Sequence, residues 1–102
     1  MTKDQILETI YKVVDEINQR FPVDKRLEKN PQTNLYGPSG TLDSLGLVVF
    51  VIATEQKFQE NHNVSVTLAD EKAMSQKNSP FQSIESLVNY VELLVKESKK
   101  HG

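Results

Sequence analysis

Apolar residues recur at helical spacing in three long stretches of the chain, and polar, turn-rich segments separate them. In the first stretch Ile6, Leu7, Ile10, Val13, Val14 and Ile17 form one stripe, with Lys12, Asp15, Glu16 and Gln19 on the wet side. This pattern predicts an amphipathic helix over residues 2–19. Thr2-Lys3-Asp4-Gln5 fits the capping-box pattern, and Asp4 suits the positive end of the helix dipole. Phe21-Pro22 ends the element, because the residue before proline is pushed away from helical angles.

Residues 23–42 carry no sustained period, and Pro31, Gly37, Pro38 and Gly40 punctuate them. A connection this long exceeds the usual ceiling of about 12–15 residues, so it is expected to be functional or tied to the core. Leu35 and Leu27 are the expected ties. Lys25-Arg26-Leu27-Glu28-Lys29 is read as a short turn, and Gly37-Pro38-Ser39-Gly40 as turn chemistry.

The second apolar stretch begins at an Asp-Ser pair. Its β-branched residues Val48, Val49, Val51 and Ile52 would also suit a buried strand. Its length and the following Thr54-Glu55-Gln56-Lys57-Phe58 favour a helix from Ser44 to Glu60. That helix has two apolar faces: Leu47, Phe50, Val51, Thr54 and Phe58 on one, and Leu45, Val48, Val49 and Ile52 on the other. A helix apolar on both sides is either covered on both or presents a patch that another molecule binds. In so small a domain, covering both is difficult. Asp43 can cap the orphan backbone donors of this helix. Ser44 then falls in the first turn, where free N–H groups and the dipole favour a negatively charged group such as a phosphate ester.

Asn61-His62-Asn63 reads as a turn, and Val64-Ser65-Val66-Thr67-Leu68 alternates briefly. Ala69 to Met74 is predicted to form a short helix, and Ser75 to Pro80 is polar. The third long stretch predicts a helix from Ile84 to Glu97 with Ser83 as N-cap and Ile84, Leu87, Val88, Val91, Leu94 and Val95 buried. Lys96, Lys99 and Lys100 suit its negative end. The expected fold is all-α, a small four-helix bundle of three main helices and one short one, with a long first loop. It forms a single domain over residues 1–102 with an ordered core of about 3–97.

Composition narrows the chemistry. A chain of 102 residues, 37% of them hydrophobic, can bury roughly 60–70% of its unfolded surface without a metal or disulfide staple. The absence of cysteine excludes disulfides, Cys-ligated zinc and thiol catalysis, and suits a reducing cytosol. Met1 to Gln5 lacks a basic-then-apolar signal pattern, and no apolar run approaches the roughly 20 residues that span a bilayer. A cytoplasmic protein without membrane insertion is expected. The 14 acidic and 12 basic residues are mixed along the chain, so there is no basic footprint for nucleic acid. Serine catalysis would need a base and an oxyanion hole, but the histidines are His62, in the expected turn, and His101, in the tail. Two histidines without carboxylate spacing make a poor metal site, and no Gly-rich phosphate loop sits between a strand and a helix. The chain does not read as an enzyme, and Ser44 is either an ordinary residue of a helix start, where serine is common, or a point of attachment.

Leu42-Asp43-Ser44-Leu45-Gly46-Leu47-Val48 resembles the Asp-Ser-Leu signature of acyl carrier proteins. Phe50 to Ala53 and Glu55 to Phe58 are similar to that family's second helix, Val64-Ser65-Val66 to the extended step after it, and Phe81 to Val91 to its last helix. The similarity runs from Asn34 to Val95, and the first helix fits by pattern only. The resemblance implies an acyl-carrier-like fold with 4′-phosphopantetheine, taken from coenzyme A, attached to Ser44. It implies that Asp43 helps a phosphopantetheinyl transferase recognise the site, and that Leu45, Val48, Val49 and Ile52 contact partners. Those partners would include an acyl-loading ligase or synthase and acyltransferases, with the carrier working as a monomer. Cargo would travel as a thioester between biosynthetic enzymes.

Members of the family in fatty-acid synthesis usually carry a strongly acidic second helix. Here Gly46 and Val49 hold such positions, and Gln56 and Lys57 stand beside the lone Glu55, so electrostatic steering is expected to be weak. This points to a specialised pathway with more apolar docking partners. An aminoacyl or D-alanyl carrier shares the serine chemistry, and an unmodified helical interaction module using Leu45, Val48 and Ile52 is the alternative from a different class.

Overall fold

The capping box at the start of the chain forms. In a computed structural model, Thr2 Oγ1 accepts the Gln5 N–H at 3.2 Å, and Gln5 Oε1 accepts the Thr2 N–H at 3.0 Å. They open helix α1, Lys3–Asn18. The structure describes residues 2–21, 26–36, 40–68 and 80–101, and at residues 44 and 97–101 it describes the helical backbone alone. Two further helices follow: α2, Ser44–His62, and α3, Ile84–His101. Among the described residues the fold is all-helical with no strand, and a single bridge joins Asn34 to Ser83. The predicted short helix at Ala69–Met74 and the turn at Gly37-Pro38-Ser39 lie outside the described residues.

Helix α1 packs against both α2 and α3, so its apolar stripe forms the spine of the core. Ile6, Ile10, Val13, Val14 and Ile17 are buried, as their spacing predicts, while Leu7 is half-buried. From α2 come Leu47, Phe50, Val51 and Phe58, and from α3 Ile84, Leu87, Val88, Val91 and Val95. Connecting segments complete the core. Leu27 and Leu35 are buried, as expected of ties, and so are Leu42, Val66, Leu68 and Phe81.

The ties are made by backbone as well as by side chains. The Asn18 amide clamps Leu27, donating to its C=O and accepting its N–H, both at 2.8 Å. The first connection also caps α3: the Ile84 N–H donates to the Thr33 C=O at 3.0 Å and the Glu85 N–H to the Pro31 C=O at 2.9 Å. These bonds satisfy first-turn donors that a helix cannot satisfy itself. Ser83 adds its side chain as predicted, with Oγ accepting the Ser86 N–H at 3.2 Å.

The structure corrects three local expectations. Arg26 to Glu28 form no turn, and the turn falls instead at residues 31–32, where Pro31 fixes the backbone; Lys25 lies outside the described residues. Helix α3 continues past Glu97 to His101, since Ser98, Lys99 and Lys100 contain no helix breaker. Helix α2 also runs on, through Asn61 and His62, and ends at Asn63, whose φ of 52° lies in the left-handed region. Asparagine tolerates that conformation better than most residues and commonly closes helices this way.

His62 is therefore a helix residue and not a solvated turn. Its Nε2 lies 2.8 Å from Thr9 Oγ1, and its ring centroid lies 6.0 Å from that of Phe58. Thr9 is buried, and its hydroxyl already donates to the Gln5 C=O at 2.8 Å. With that proton committed, His62 Nε2 is the donor to Thr9. The contact joins α1 to the far end of α2. Thr9→Val should cost about 1–2 kcal/mol in urea denaturation, because it leaves a half-buried imidazole donor without its partner.

Candidate functional site

The segment before α2 is held at both ends. The Leu35 N–H donates to the Gln82 C=O at 2.7 Å, and the Leu42 N–H donates to the Leu35 C=O at 2.9 Å. Leu35 and Leu42 are themselves buried, so the chain enters α2 from a fixed point. Gly40 is required for this closure. A Cβ there would lie 2.5 Å from the Tyr36 Cα, a backbone clash that no rotamer relieves.

Asp43 caps α2 as predicted. Its backbone is extended (φ −83°, ψ −178°), its Oδ1 accepts the Gly46 N–H at 2.7 Å, and its C=O accepts the Leu47 N–H at 2.9 Å. Gly46 leaves room for the cap, since a Cβ would sit 3.1 Å from Asp43 Oδ1 and 3.3 Å from Leu42 Cδ2. Ser44 is the first residue of the helix. It follows an exposed Asp43 and precedes Leu45, which is 73% exposed. A phosphate ester here would sit at the positive end of a 19-residue helix dipole.

The two faces read from the spacing of α2 separate cleanly. Leu47, Phe50, Val51, Thr54 and Phe58 are buried, whereas Leu45, Val48, Val49 and Ile52 are all at least 37% exposed. Thr54 belongs on the buried side because its hydroxyl donates to the Phe50 C=O at 2.7 Å and so needs no water. Two charges of α2 are used inside the chain. Glu55 Oε2 accepts the Leu68 N–H at 2.6 Å, and Lys57 pairs with Glu16 of α1.

A groove of about 320 Å³ opens beside the helix start, walled by Thr41, Leu42, Asp43, Leu45, Gly46, Val49 and Phe21. A second, of about 520 Å³, follows the seam between the end of α1 and the middle of α2. Glu16, Ile17, Gln19 and Arg20 form one side and Val49, Ile52, Ala53, Gln56, Lys57 and Glu60 the other. Glu16, Ile17, Gln19, Arg20 and Phe21 carry no chemical motif, and only the packing of α1 against α2 brings them to the site. In sequence they are simply the polar end of an amphipathic helix.

His62 lies at the opposite end of α2 from Ser44, 18 residues or roughly 27 Å along the axis, beyond reach as a general base. Among the described residues no three His, Asp or Glu side chains could hold a metal ion together, and no helix is long and apolar enough to cross a membrane. Comparison with protein-family models, with curated proteins and with solved structures gave no match to this chain.

Proposed function

We propose that the chain is an acyl carrier protein of the four-helix kind, modified on Ser44 with 4′-phosphopantetheine and shuttling an acyl group between biosynthetic enzymes. The observation that carries this reading is the start of α2: an Asp43-capped helix end with Ser44 as its first residue and an exposed apolar strip behind it. The residues present suit the group. Exposed neighbours on both sides of Ser44 leave room for a transferase, and the groove beside Leu45 and Gly46 opens at the point of attachment. When bound, the arm supplies a terminal thiol that holds the acyl group as a thioester.

This chain's own residues do the rest. Asp43 fixes the helix start that presents the serine, and the positive end of the helix stabilises the phosphodiester formed there. Leu45, Val48, Val49 and Ile52 form the contact surface for the transferase and for the enzymes that load and unload the carrier. Because Glu55 and Lys57 have partners within the chain, recognition rests on apolar contact more than on charge, as befits a specialised pathway. The carrier works as a cytoplasmic monomer and catalyses nothing itself.

Intact mass after incubation with coenzyme A and a broad-specificity phosphopantetheinyl transferase tests the reading. Wild type should gain the prosthetic-group mass completely, and Ser44→Ala should gain none. An unmodified wild type, or equal gain by the variant, would exclude the carrier function. The exposed strip also suits an unmodified interaction module. That reading predicts that Ser44→Ala keeps full activity in the cell. An aminoacyl or D-alanyl carrier would pass the mass test and be separated by loading assays with amino acids against fatty acids.

A further inference from the structure

Leu45, Val48, Val49 and Ile52 stand at positions i, i+3, i+4 and i+7 of α2, and all four are exposed. That spacing is the stripe by which one helix packs against another. Gly46 and Ala53, two turns apart in the adjoining grooves, let a second backbone approach closely. Four such side chains fall far short of the roughly 20–30 residues a side of a stable interface. The stripe therefore suits a transient partner more than a permanent second copy of the chain.

Charge decides what that partner carries. The charged side chains lining the two grooves are Glu16, Arg20, Asp43, Lys57 and Glu60. Asp43 caps α2, and Lys57 pairs with Glu16. Among the described residues Arg20 and Glu60 form no ion pair. Glu60 lies beyond the Lys57–Glu16 bridge, which crosses from α2 to α1 about 20 Å along the helix from Ser44. Arg20 lies on the Ser44 side of that bridge, next to Phe21, which walls the first groove with Leu45 and Val49. The open part of the surface is thus an apolar stripe with one unpaired cation at its edge.

Resting on the carrier reading of the exposed strip, we propose that the docking partner presents an α-helix whose apolar side lies on this stripe and whose carboxylate pairs with Arg20. The sign is the reverse of what a strongly acidic second helix calls for. Arginine suits the role, because its planar fork takes a carboxylate through two parallel N–H···O bonds and its weak hydration lets it be covered. A basic partner residue at that place would meet like charge, so the same contact rejects wrong partners.

The test selects a phage-displayed library of helices of about four turns on the full-length chain. Apolar residues are fixed at i, i+3, i+4 and i+7, and the flanking positions are random. Helices enriched on wild type should carry Glu or Asp at one flanking position, and those enriched on Arg20→Glu should carry Lys or Arg there. By calorimetry, Arg20→Glu should weaken a synthetic peptide of the wild-type consensus about tenfold or more, and an acid-to-Lys change in the peptide should restore it. Arg20→Gln should weaken it less. Arg26→Glu, exposed and outside both grooves, should leave binding unchanged, and all three variants should keep the wild-type urea midpoint. The inference is overturned if no helix is enriched, if the enriched helices lack an acid or carry a base against wild type, or if Arg20→Glu leaves binding unchanged. Sedimentation as a dimer that Arg20→Glu breaks would assign the stripe to a second copy and overturn it as well. Each of these outcomes with complete modification of Ser44 leaves the carrier reading standing. A Ser44 that takes no arm overturns the carrier reading itself, whichever helix binds.

Discussion

Phe50→Ala is expected to lower the stability of the chain by about 3–5 kcal/mol, the largest loss of any single change considered for this fold. The ring is fully buried among residues of the core, so truncation removes its transfer free energy and leaves a cavity that the α1 stripe can fill only in part. A domain of this size is held by about 5–15 kcal/mol, so the variant should lose at least about a fifth of its stability. Its urea midpoint should fall by the equivalent of about 3–5 kcal/mol at nearly constant slope. Leu45→Ala makes the control on the same helix. With 73% of its surface already in water, Leu45 should cost within about 0.5 kcal/mol on truncation. Equal losses for the two variants, or a larger loss for Leu45→Ala, would overturn this assignment of the faces of α2.

That contrast was legible in the sequence because of how α2 is written. Leu47, Phe50, Val51, Thr54 and Phe58 recur at three- and four-residue intervals, and only a helix brings such positions onto one face. The ends of the helices were less legible. Asn61 and His62 have weak intrinsic preferences, and His62 is helical because it can reach Thr9 across the domain. No local pattern carries that information. The long first connection divides in the same way. Leu27 and Leu35 stand out as large apolar residues in a polar stretch, so their burial could be anticipated. The Asn18 clamp and the carbonyl caps from Pro31 and Thr33 could not, because they join residues distant along the chain through groups that every residue possesses.

The candidate site was read from one end only. Asp43 announces a cap, and Ser44 after it is placed by the same logic. The seam with Glu16, Gln19, Arg20 and Phe21 depends on how α1 crosses α2, which the spacing of neither helix fixes. The charges of α2 were visible but not their use. Glu55 and Lys57 read as neighbours that cancel, whereas one holds the backbone at Leu68 and the other reaches Glu16.

Val48→Glu should test the exposed strip of α2 as a docking surface. Val48 is 38% exposed and lines neither groove, so it can contact a partner without altering either groove. The carboxylate it gains can stay in water in the free protein, so the urea midpoint should move by no more than the equivalent of about 0.5 kcal/mol. In a complex that covers this strip the same carboxylate must be desolvated against an apolar surface, at a cost of about 1–3 kcal/mol if it finds no partner. Since 1.4 kcal/mol is tenfold, kcat/KM for modification of Ser44 by the transferase should fall by about tenfold or more. The end-point mass should be unchanged given time and enzyme, because the serine and its cap are intact. An unaltered kcat/KM with unaltered stability would remove Val48 from the docking surface and leave recognition to the first turn alone. A loss of rate that tracked a loss of stability would instead mean that Val48 supports the core, which its exposure argues against.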